Sequence, residues 1–553
     1  MTIDRVDLGI IWDRLISISD EIMQTLVRSS FSSVVRESYD LSCVLFDAAG
    51  RSLAQGSYSM PTFTGTAPAT LAHMLKRFPA DRLAPGDILI TNDSWMGTGH
   101  LYDVNIARPI FLGKRLIGFT MTITHLPDIG GIGFSTVARD IYEEGLRLPV
   151  MKLADRGALN ESLLEIIATN VRVPDQVRGD LMANVAANEI GAKLTLELVD
   201  EYRLPDLREV SAGILDNSEA ALRKNIARMQ DGEWRSEFAV EGKEHPIILR
   251  CAIKKQRDEI IVDFAGSSAQ TRGGLNVPFC YSSALARYAI KCLTLPGIPN
   301  NEGSMRPVTV VAPAACILNA QPPAATGGRH VIGHYVAPLV IGAFEQALPD
   351  RVQADPGMID ILNVQGPGPK RRPISSLYFV SGGYGALRGI DGPGAVPAPS
   401  NMNGMSTEVW ESLTNITVER RSLAPDTGGP GEHRGGPGQE IVLRNDNDAP
   451  LTISGFAQRT QFPARGMHGG KAGALRQHTI DGVPVHRTGR YTLEPGQSLV
   501  ATQAGGGGFG DPAKRDPNSV LEDVRAGIVS VEGALRDYGV EVDLAHGVAA
   551  RTG

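Results

Sequence analysis

The sequence predicts an α+β protein of several domains, a mixed fold of β-hairpins, helices and glycine-rich loops. Three observations carry this. Apolar residues recur at helical spacing in residues 7–30 and again between 161 and 229. Short apolar and β-branched runs, broken by turn residues, mark hairpins in between. The chain also holds 62 glycines and 35 prolines among 553 residues, which calls for many irregular connections and argues against a helical bundle.

In chain order, Ile10, Ile11, Leu15, Ile18, Ile22 and Leu26 form one helical stripe over residues 7–30. A hairpin follows. In it Leu41, Cys43 and Leu45 alternate with Ser42, Val44 and Phe46, and Ala49-Gly50 supplies the turn. Asp40 stands at its open end, while Asp47 belongs to the turn chemistry. Residues 66–78 read as a helix, and Ala84-Pro85-Gly86-Asp87 turns into a strand at 88–90. Residues 161–229 are helix-rich scaffold, stopped once at Pro174. Strand-like runs begin at 233, so the chain is divided into an N-terminal α+β domain (1–232) and a middle α/β region (233–400), within which 282–293 and the run from His334 to Leu348 read as helices. A glycine-rich, β-rich region (401–515) and a helical tail (516–553) complete it. Residues 362–440 are dense in glycine and proline, but Tyr378, Phe379, Tyr384 and Trp410 are interleaved, which favours ordered loops over a linker.

Composition narrows the function classes. With 42% hydrophobic and 21% charged residues the chain suits an ordinary globular enzyme. Lysine and arginine number 54 against 61 acids, which leaves no electrostatic case for nucleic acid or an anionic membrane. The five cysteines (Cys43, Cys251, Cys280, Cys292, Cys316) form no Cys-x-x-Cys pair, as expected of a chain in a reducing cytoplasm. The opening MTIDRVDLGIIWDRL has early acids and no continuous apolar core, so no secretory leader is expected. No apolar run is long enough to predict a membrane span.

The chemistry concentrates in residues 92–131. A glycine-broken loop delivers His100 and Asp103, an apolar run reaches Gly113-Lys114-Arg115, and a second apolar run ends at His125 and Asp128. Two such runs about a short glycine-containing break form a hairpin, and a turn centred on Lys114 sets Asp103 opposite His125. His100 lies just before the first strand. Two imidazoles and a carboxylate thus converge on one open end, a half-shell for a divalent metal. The alternative reading of His-x-x-Asp is a plain hydrogen-bonded pair. Asp40 precedes its strand as Asp103 does, but local spacing does not bring the two together.

Other motifs fail on context. Gly505 to Gly510 matches G-x-G-x-x-G as a string, yet no βαβ unit follows it. The stretch from Gly466 to Ala472 has one residue too few between glycines for a phosphate loop, and Ala472 stands where a hydroxyl is needed. No G-x-S-x-G or His-Glu-x-x-His occurs. His330 and His334 share helical i,i+4 spacing without an adjacent acid.

Long segments along nearly the whole chain carry a resemblance: RESYDLSCVLFD, GHLYDV, THLPDIGG, EEGLRLPVMKL, ANVAANEIGAK, IVDFAGSSAQ, IPNNEGSMRP, GGPGEHRGGPG and GGGGFGDPAKRDP. The chain resembles hydantoinase B subunits, which are similar to the C-terminal half of ATP-dependent 5-oxoprolinase and to subunits of acetone and acetophenone carboxylases. The resemblance implies a metal site of Asp40, His100, Asp103 and His125, the first of these entering on the resemblance alone. It implies a divalent cation (Mn, Zn or Fe). It also implies a hydantoinase A-type partner subunit that binds ATP in place of this chain, in a hetero-oligomer acting on a small cyclic amide. Asp128 is the candidate for orienting His125 or moving a proton, with Glu144 and Asp93 as further candidates beside the site. The family commonly shows His-His-Ala-Asp where this chain has His125-Leu126-Pro127-Asp128, so the resemblance does not assign the substrate. The implied activity is C–N hydrolysis of a cyclic amide activated by phosphorylation on the partner. The alternative is a ketone carboxylase subunit of the acetone or acetophenone carboxylase type.

Overall fold

The computed structural model describes residues 4–456, 458–485 and 488–552, and the first three residues of the opening segment lie outside that range. Helices and several sheets combine in two compact units. Unit 1 is Met1–Glu233, Ala252–Ala265 and Ala269–Gly333; unit 2 is Trp234–Cys251, Gly266–Ser268 and His334–Gly553. The sequence-based division at 232, 400 and 515 stands beside this one, in which the chain first passes between units after Glu233.

Unit 1 begins with α1 (Arg5–Ser29) and α2 (Ser33–Arg36), then β1 (Leu41–Asp47), β2 (Ser52–Gln55) and α3 (Phe63–Arg77). Next come β3 (Ile88–Thr91), β4 (Asp103–Leu112), β5 (Arg115–His125), α4 (Ile141–Glu144), β6 (Met151–Asp155) and β7 (Ala158–Leu159). Helices α5 (Glu161–Asn170), α6 (Pro174–Glu201), α7 (Arg208–Ala227), α8 (Phe279–Thr294) and α9 (Arg329–Gly333) complete the elements used below. The seven strands form one antiparallel sheet in the order β2-β1-β5-β4-β3-β6-β7. Helix α6 lies against β4 and β5, and α1 packs on α6.

Local chemistry explains these elements. Asp4 caps α1 by accepting from the N–H groups of Val6 and Asp7, both at 2.8 Å. The buried stripe of α1 is Ile11, Leu15, Ile18, Ile22, Met23 and Leu26, and Ile10 is exposed. Asp47 accepts from the N–H groups of Ala49 and Arg51, as a turn aspartate does. Strand β5 alternates threonine with larger apolar residues but is buried on both faces. Its threonines therefore need partners inside the core. Asn184 Nδ2 of α6 donates to Thr124 Oγ1 at 3.0 Å, and Asn188 Nδ2 to Thr122 Oγ1 at 2.7 Å. This polar seam pins the strand that ends at His125.

Unit 2 holds a four-stranded and a five-stranded sheet over one core that includes Leu362, Tyr378, Trp410, Leu443 and Leu499. Part of the stretch read as ordered loops is sheet: Ile359–Pro367 pairs with Pro373–Ser381, and Ile416–Leu423 is a further strand. The tail adds strands Val540–Asp543 and Val548–Arg551 to its helices Pro517–Arg525 and Val531–Tyr538. The run read as one helix from His334 forms the shorter Val336–Ala343.

Glycines 505–508 thread through neighbouring backbone. A Cβ built on Gly505 would lie 1.8 Å from the Thr427 carbonyl oxygen, on Gly506 2.1 Å from that of Tyr384, on Gly507 2.0 Å from that of Arg465, and on Gly508 2.2 Å from that of Pro430. Gly505 and Gly508 face the same neighbouring segment, a three-residue period like that of a polyproline II helix. Hydrogen bonds run sideways: Gly506 N–H donates to Gly436 O at 3.0 Å, and Gly429 N–H to Gly506 O at 2.8 Å. The glycine string that imitates a dinucleotide motif is thus a close-packed backbone bundle. Gly506→Ala is expected to lower stability by about 1–3 kcal/mol or more, because a backbone carbonyl cannot rotate away as a side chain can. Urea unfolding checks this, and an unchanged midpoint would contradict the packing account.

Candidate metal centre

The open end of the unit 1 sheet gathers the residues of interest. Asp103 opens β4 and His125 closes β5, and the two are direct partners in the β4–β5 ladder. On the other side of β5, Leu41 pairs with Thr124, and His125 N–H donates to the Asp40 carbonyl at 3.2 Å. Asp40, His125 and Asp103 thus sit side by side at one end of three adjacent strands, Asp40 just before β1. Tyr39, at φ 56°, takes a left-handed conformation immediately before Asp40.

His100 arrives from the loop before β4. Asp93 folds that loop, its Oδ1 accepting from Trp95 N–H at 2.9 Å and Met96 N–H at 3.2 Å, while Arg147 Nε holds Oδ2 at 2.6 Å. Gly99, at φ +99°, leaves room for Arg329, whose Cδ would lie 2.6 Å from a Cβ there.

One group of candidate metal ligands stands out among the described residues. His100, Asp103 and His125 offer ligand atoms that all lie within 4.8 Å of one another, and all three are buried. Asp40, also buried, lies outside this group.

Hydrogen bonds decide which atoms of this group are left to point inward. Asp103 Oδ2 accepts from Thr98 Oγ1 at 2.6 Å and Arg329 Nη2 at 2.5 Å. Asp103 Oδ1 lies 3.0 Å from His100 Nε2, without hydrogen-bond geometry. His100 Nδ1 faces the Gly327 carbonyl at 3.3 Å, which favours a proton on Nδ1 and a lone pair on Nε2. Both ring nitrogens of His125 lack a hydrogen-bond partner among the described residues. Tyr102 stacks on His125 with centroids 5.2 Å apart, and Phe134 meets the same ring edge-on at 5.2 Å.

Burial pushes the His125 imidazole down to about 3, with the charges of His100 and Arg329 adding to the effect and Asp103 opposing it. Burial also lowers His100, helped by Arg329. For Asp103 burial acts upward, but His100 and Arg329 outweigh it and hold the carboxyl below the usual range. Burial and the neighbouring charge of Asp103 raise Asp40 well above it.

These atoms fit a divalent cation. Buried polar atoms without partners cost about 1–3 kcal/mol each. Here His100 Nε2, Asp103 Oδ1 and the His125 nitrogens share one small region. Two ligands at right angles on a metal with bonds of roughly 2.1 Å are about 3.0 Å apart. The His100 Nε2 to Asp103 Oδ1 distance is 3.0 Å. Neutral imidazoles with a carboxylate suit Zn, Mn or Fe.

The two residues expected to act in catalysis lie around this centre. Asp128 accepts from Arg172 Nη1 at 2.6 Å and from Gly130 N–H at 3.3 Å, so it ties its own loop to residue 172. It makes no hydrogen bond to His125. Glu144 is buried at the end of α4, where its Oε1 accepts from Thr326 N–H at 2.7 Å and Gly327 N–H at 2.5 Å. His330 stacks on Phe134 with centroids 5.6 Å apart, and α9 ends at Gly333, before His334. Arg329, Thr98, Tyr102 and Phe134 were not legible as site residues. A glycine pair before Arg329, opening a helix, is the one local signal for the first of them.

Comparisons with known proteins bear on the fold and the family. Caprolactamase subunit beta of Pseudomonas jessenii is 30% identical over 570 residues, covering 98% of this chain and 97% of its own. A crystal structure of ATP-dependent caprolactamase from Pseudomonas jessenii superposes with a TM-score of 0.91 at 28% identity, over 99% of this chain and 98% of that one. 5-Oxoprolinase 1 of Arabidopsis thaliana is 28% identical over 92% of this chain, which spans 42% of that longer protein. The sequence profile described as hydantoinase B/oxoprolinase matches residues 4–512, and the chain belongs to that family.

Proposed function

We propose that this chain is the metal-bearing, B-type subunit of an ATP-dependent cyclic-amide hydrolase. The observation that carries the reading is the buried donor set of His100 Nε2, Asp103 Oδ1 and His125 at the end of the sheet. The similarity to caprolactamase subunit beta over nearly the full length of both chains supports the reaction class.

In this reading His100, Asp103 and His125 hold the cation and Asp40 is the fourth ligand. The cation would be Zn, Mn or Fe, and when bound it would supply Lewis acidity toward an oxygen of the substrate or of water. Arg329 and Thr98 hold Oδ2 of Asp103 so that Oδ1 faces inward. Tyr102 and Phe134 form the apolar wall that keeps bulk water from the imidazoles. Asp128 is assigned to shaping the loop after His125, through Arg172.

An amide is a poor electrophile because resonance stabilises it. Phosphorylation of the amide oxygen by ATP on a separate A-type subunit turns that oxygen into a leaving group. Overall, two waters are consumed: one C–N bond breaks as the first adds its OH to carbon and its H to nitrogen, and the second takes up the phosphoryl group that ATP gave the amide oxygen, leaving ADP and phosphate. A hetero-oligomer with that partner goes with this reading. So does a cytoplasmic location, since none of the five cysteines is in a disulfide. Among the described residues no helix is long and apolar enough to cross a membrane.

The test is an assay of the chain purified with its A-type partner. The expected result is ATP-dependent ring opening of a hydantoin, 5-oxoproline or a lactam, with ADP and phosphate formed in step. ATP-dependent fixation of bicarbonate into a ketone instead would overturn the hydrolase reading.

A further inference from the structure

Glu144 is a buried carboxylate whose own partners are not the candidate ligands, yet it holds the turn that contacts the far sides of two ligand residues, His100 and Asp103. Its Oε1 accepts the N–H groups of Thr326 and Gly327 at 2.7 and 2.5 Å. Its Oε2 faces Thr326 Oγ1 at 3.4 Å, and that hydroxyl donates to Ser94 Oγ at 3.0 Å. One residue further along the tethered turn, the Gly327 carbonyl faces His100 Nδ1 at 3.3 Å. Two residues beyond that, Arg329 bonds Asp103 Oδ2 at 2.5 Å and the Thr98 carbonyl at 2.7 Å.

The same elements are joined a second time. Asp140, the N-cap of α4, bridges to Ala324, and Ile141 N–H donates to the Pro323 carbonyl at 3.0 Å. Residues 140–144 and 323–329 therefore run as one zipped unit. There is no slack at its centre: a Cβ on Gly327 would lie 3.0 Å from the Ser135 carbonyl and 3.1 Å from Glu144 Oε1.

We propose that Glu144 is a positioning residue for the metal centre, acting through the 326–329 turn to set the His100 ring and the Asp103 carboxylate together. The inference rests on the metal-centre reading above. One buried acceptor fixes two backbone donors. Those fix a carbonyl that chooses the His100 tautomer and an arginine that chooses which Asp103 oxygen points inward. Groups that orient first ligands in this way typically change metal affinity about 10–100-fold when removed.

The experiment compares wild type, Glu144→Ala, Glu144→Gln and His100→Ala by chelator competition with Zn2+ and by the visible spectrum of the Co2+-loaded chain. Glutamine keeps an acceptor oxygen for the two N–H groups; alanine removes it. The expected result is Zn2+ affinity about 10–100-fold weaker in Glu144→Ala, with an altered Co2+ spectrum, and most of that loss restored in Glu144→Gln. In the ring-opening assay, turnover per bound metal is expected to be alike in wild type and Glu144→Gln.

Wild-type affinity and spectrum in a folded Glu144→Ala would overturn the inference. So would a collapse of turnover per bound metal in Glu144→Gln, which would make Glu144 a proton carrier. If Glu144→Ala does not fold, Glu144→Gln decides: a Zn2+ affinity near that of wild type supports positioning, and a loss as large as that of His100→Ala refutes it. A wild-type chain that binds no divalent metal, and so does not differ from His100→Ala, would sink the metal-centre reading and this inference together.

Discussion

His125→Ala is expected to abolish ATP-dependent ring opening, by roughly a thousandfold or more, while the chain stays folded. A bound cation contributes several kcal/mol of charge stabilisation, and each 1.4 kcal/mol is about a factor of ten in rate. His125 is the donor with the fewest other duties. Neither ring nitrogen has a hydrogen-bond partner among the described residues, and its backbone N–H bond to the Asp40 carbonyl survives the substitution. The lost packing on Tyr102 and Phe134 should lower stability by about 2–4 kcal/mol. Turnover and metal content are measured on the same preparation, with circular dichroism as the check of fold. Activity retained at the wild-type level would remove His125 from the centre. Loss of activity with the metal retained would assign the ring to substrate rather than to the cation.

Arg329→Met is expected to destabilise unit 1 by about 3–5 kcal/mol in the metal-free chain, because it leaves the partner of a buried ion pair uncompensated. Arg329 and Asp103 are 5% and 1% exposed, and the His100 imidazole, 3.0 Å from Asp103 Oδ1, is held toward its neutral form by burial. The guanidinium also lies 4.1 Å above the Tyr281 ring and donates to the Thr98 carbonyl. Lysine cannot reproduce that set of a planar stack and two directed donors, so Arg329→Lys is expected to restore only part of the loss. Saturating Zn2+ should recover stability in Arg329→Met, since a cation beside Asp103 replaces the missing charge. Urea unfolding with and without metal reads both effects. A wild-type midpoint in Arg329→Met would show that Asp103 does not depend on this arginine.

The register of the central hairpin was legible from local sequence, through two offsetting differences. The turn closes on two residues, with Leu112 paired to Arg115, and a bulge opposite Ile110 and Phe111 adds one residue, Ile117, to the β5 side. The two shifts cancel, so Asp103 faces His125 as a turn centred on Lys114 requires. The N-terminal helix and the 161–229 scaffold were legible because their apolar spacing is long and regular. Asp40 was not derivable in the same way. Its place beside His125 depends on β1 pairing with β5, a contact between strands far apart in sequence that no local period encodes. Arg329 was hidden for the same reason, lying 226 residues from Asp103. The strands at 359–381 were masked by flanking glycines and prolines, although the run from Leu377 to Val380 is apolar and buried.

The most direct measurement is an anomalous difference map from crystals of the chain grown with Zn2+ or Mn2+ and collected at the absorption edge of the metal. The account predicts one strong peak per chain, within about 2.0–2.3 Å of His100 Nε2, Asp103 Oδ1 and one nitrogen of His125. A map with no peak among these three residues, from metal-supplemented protein that is otherwise well ordered, would contradict it.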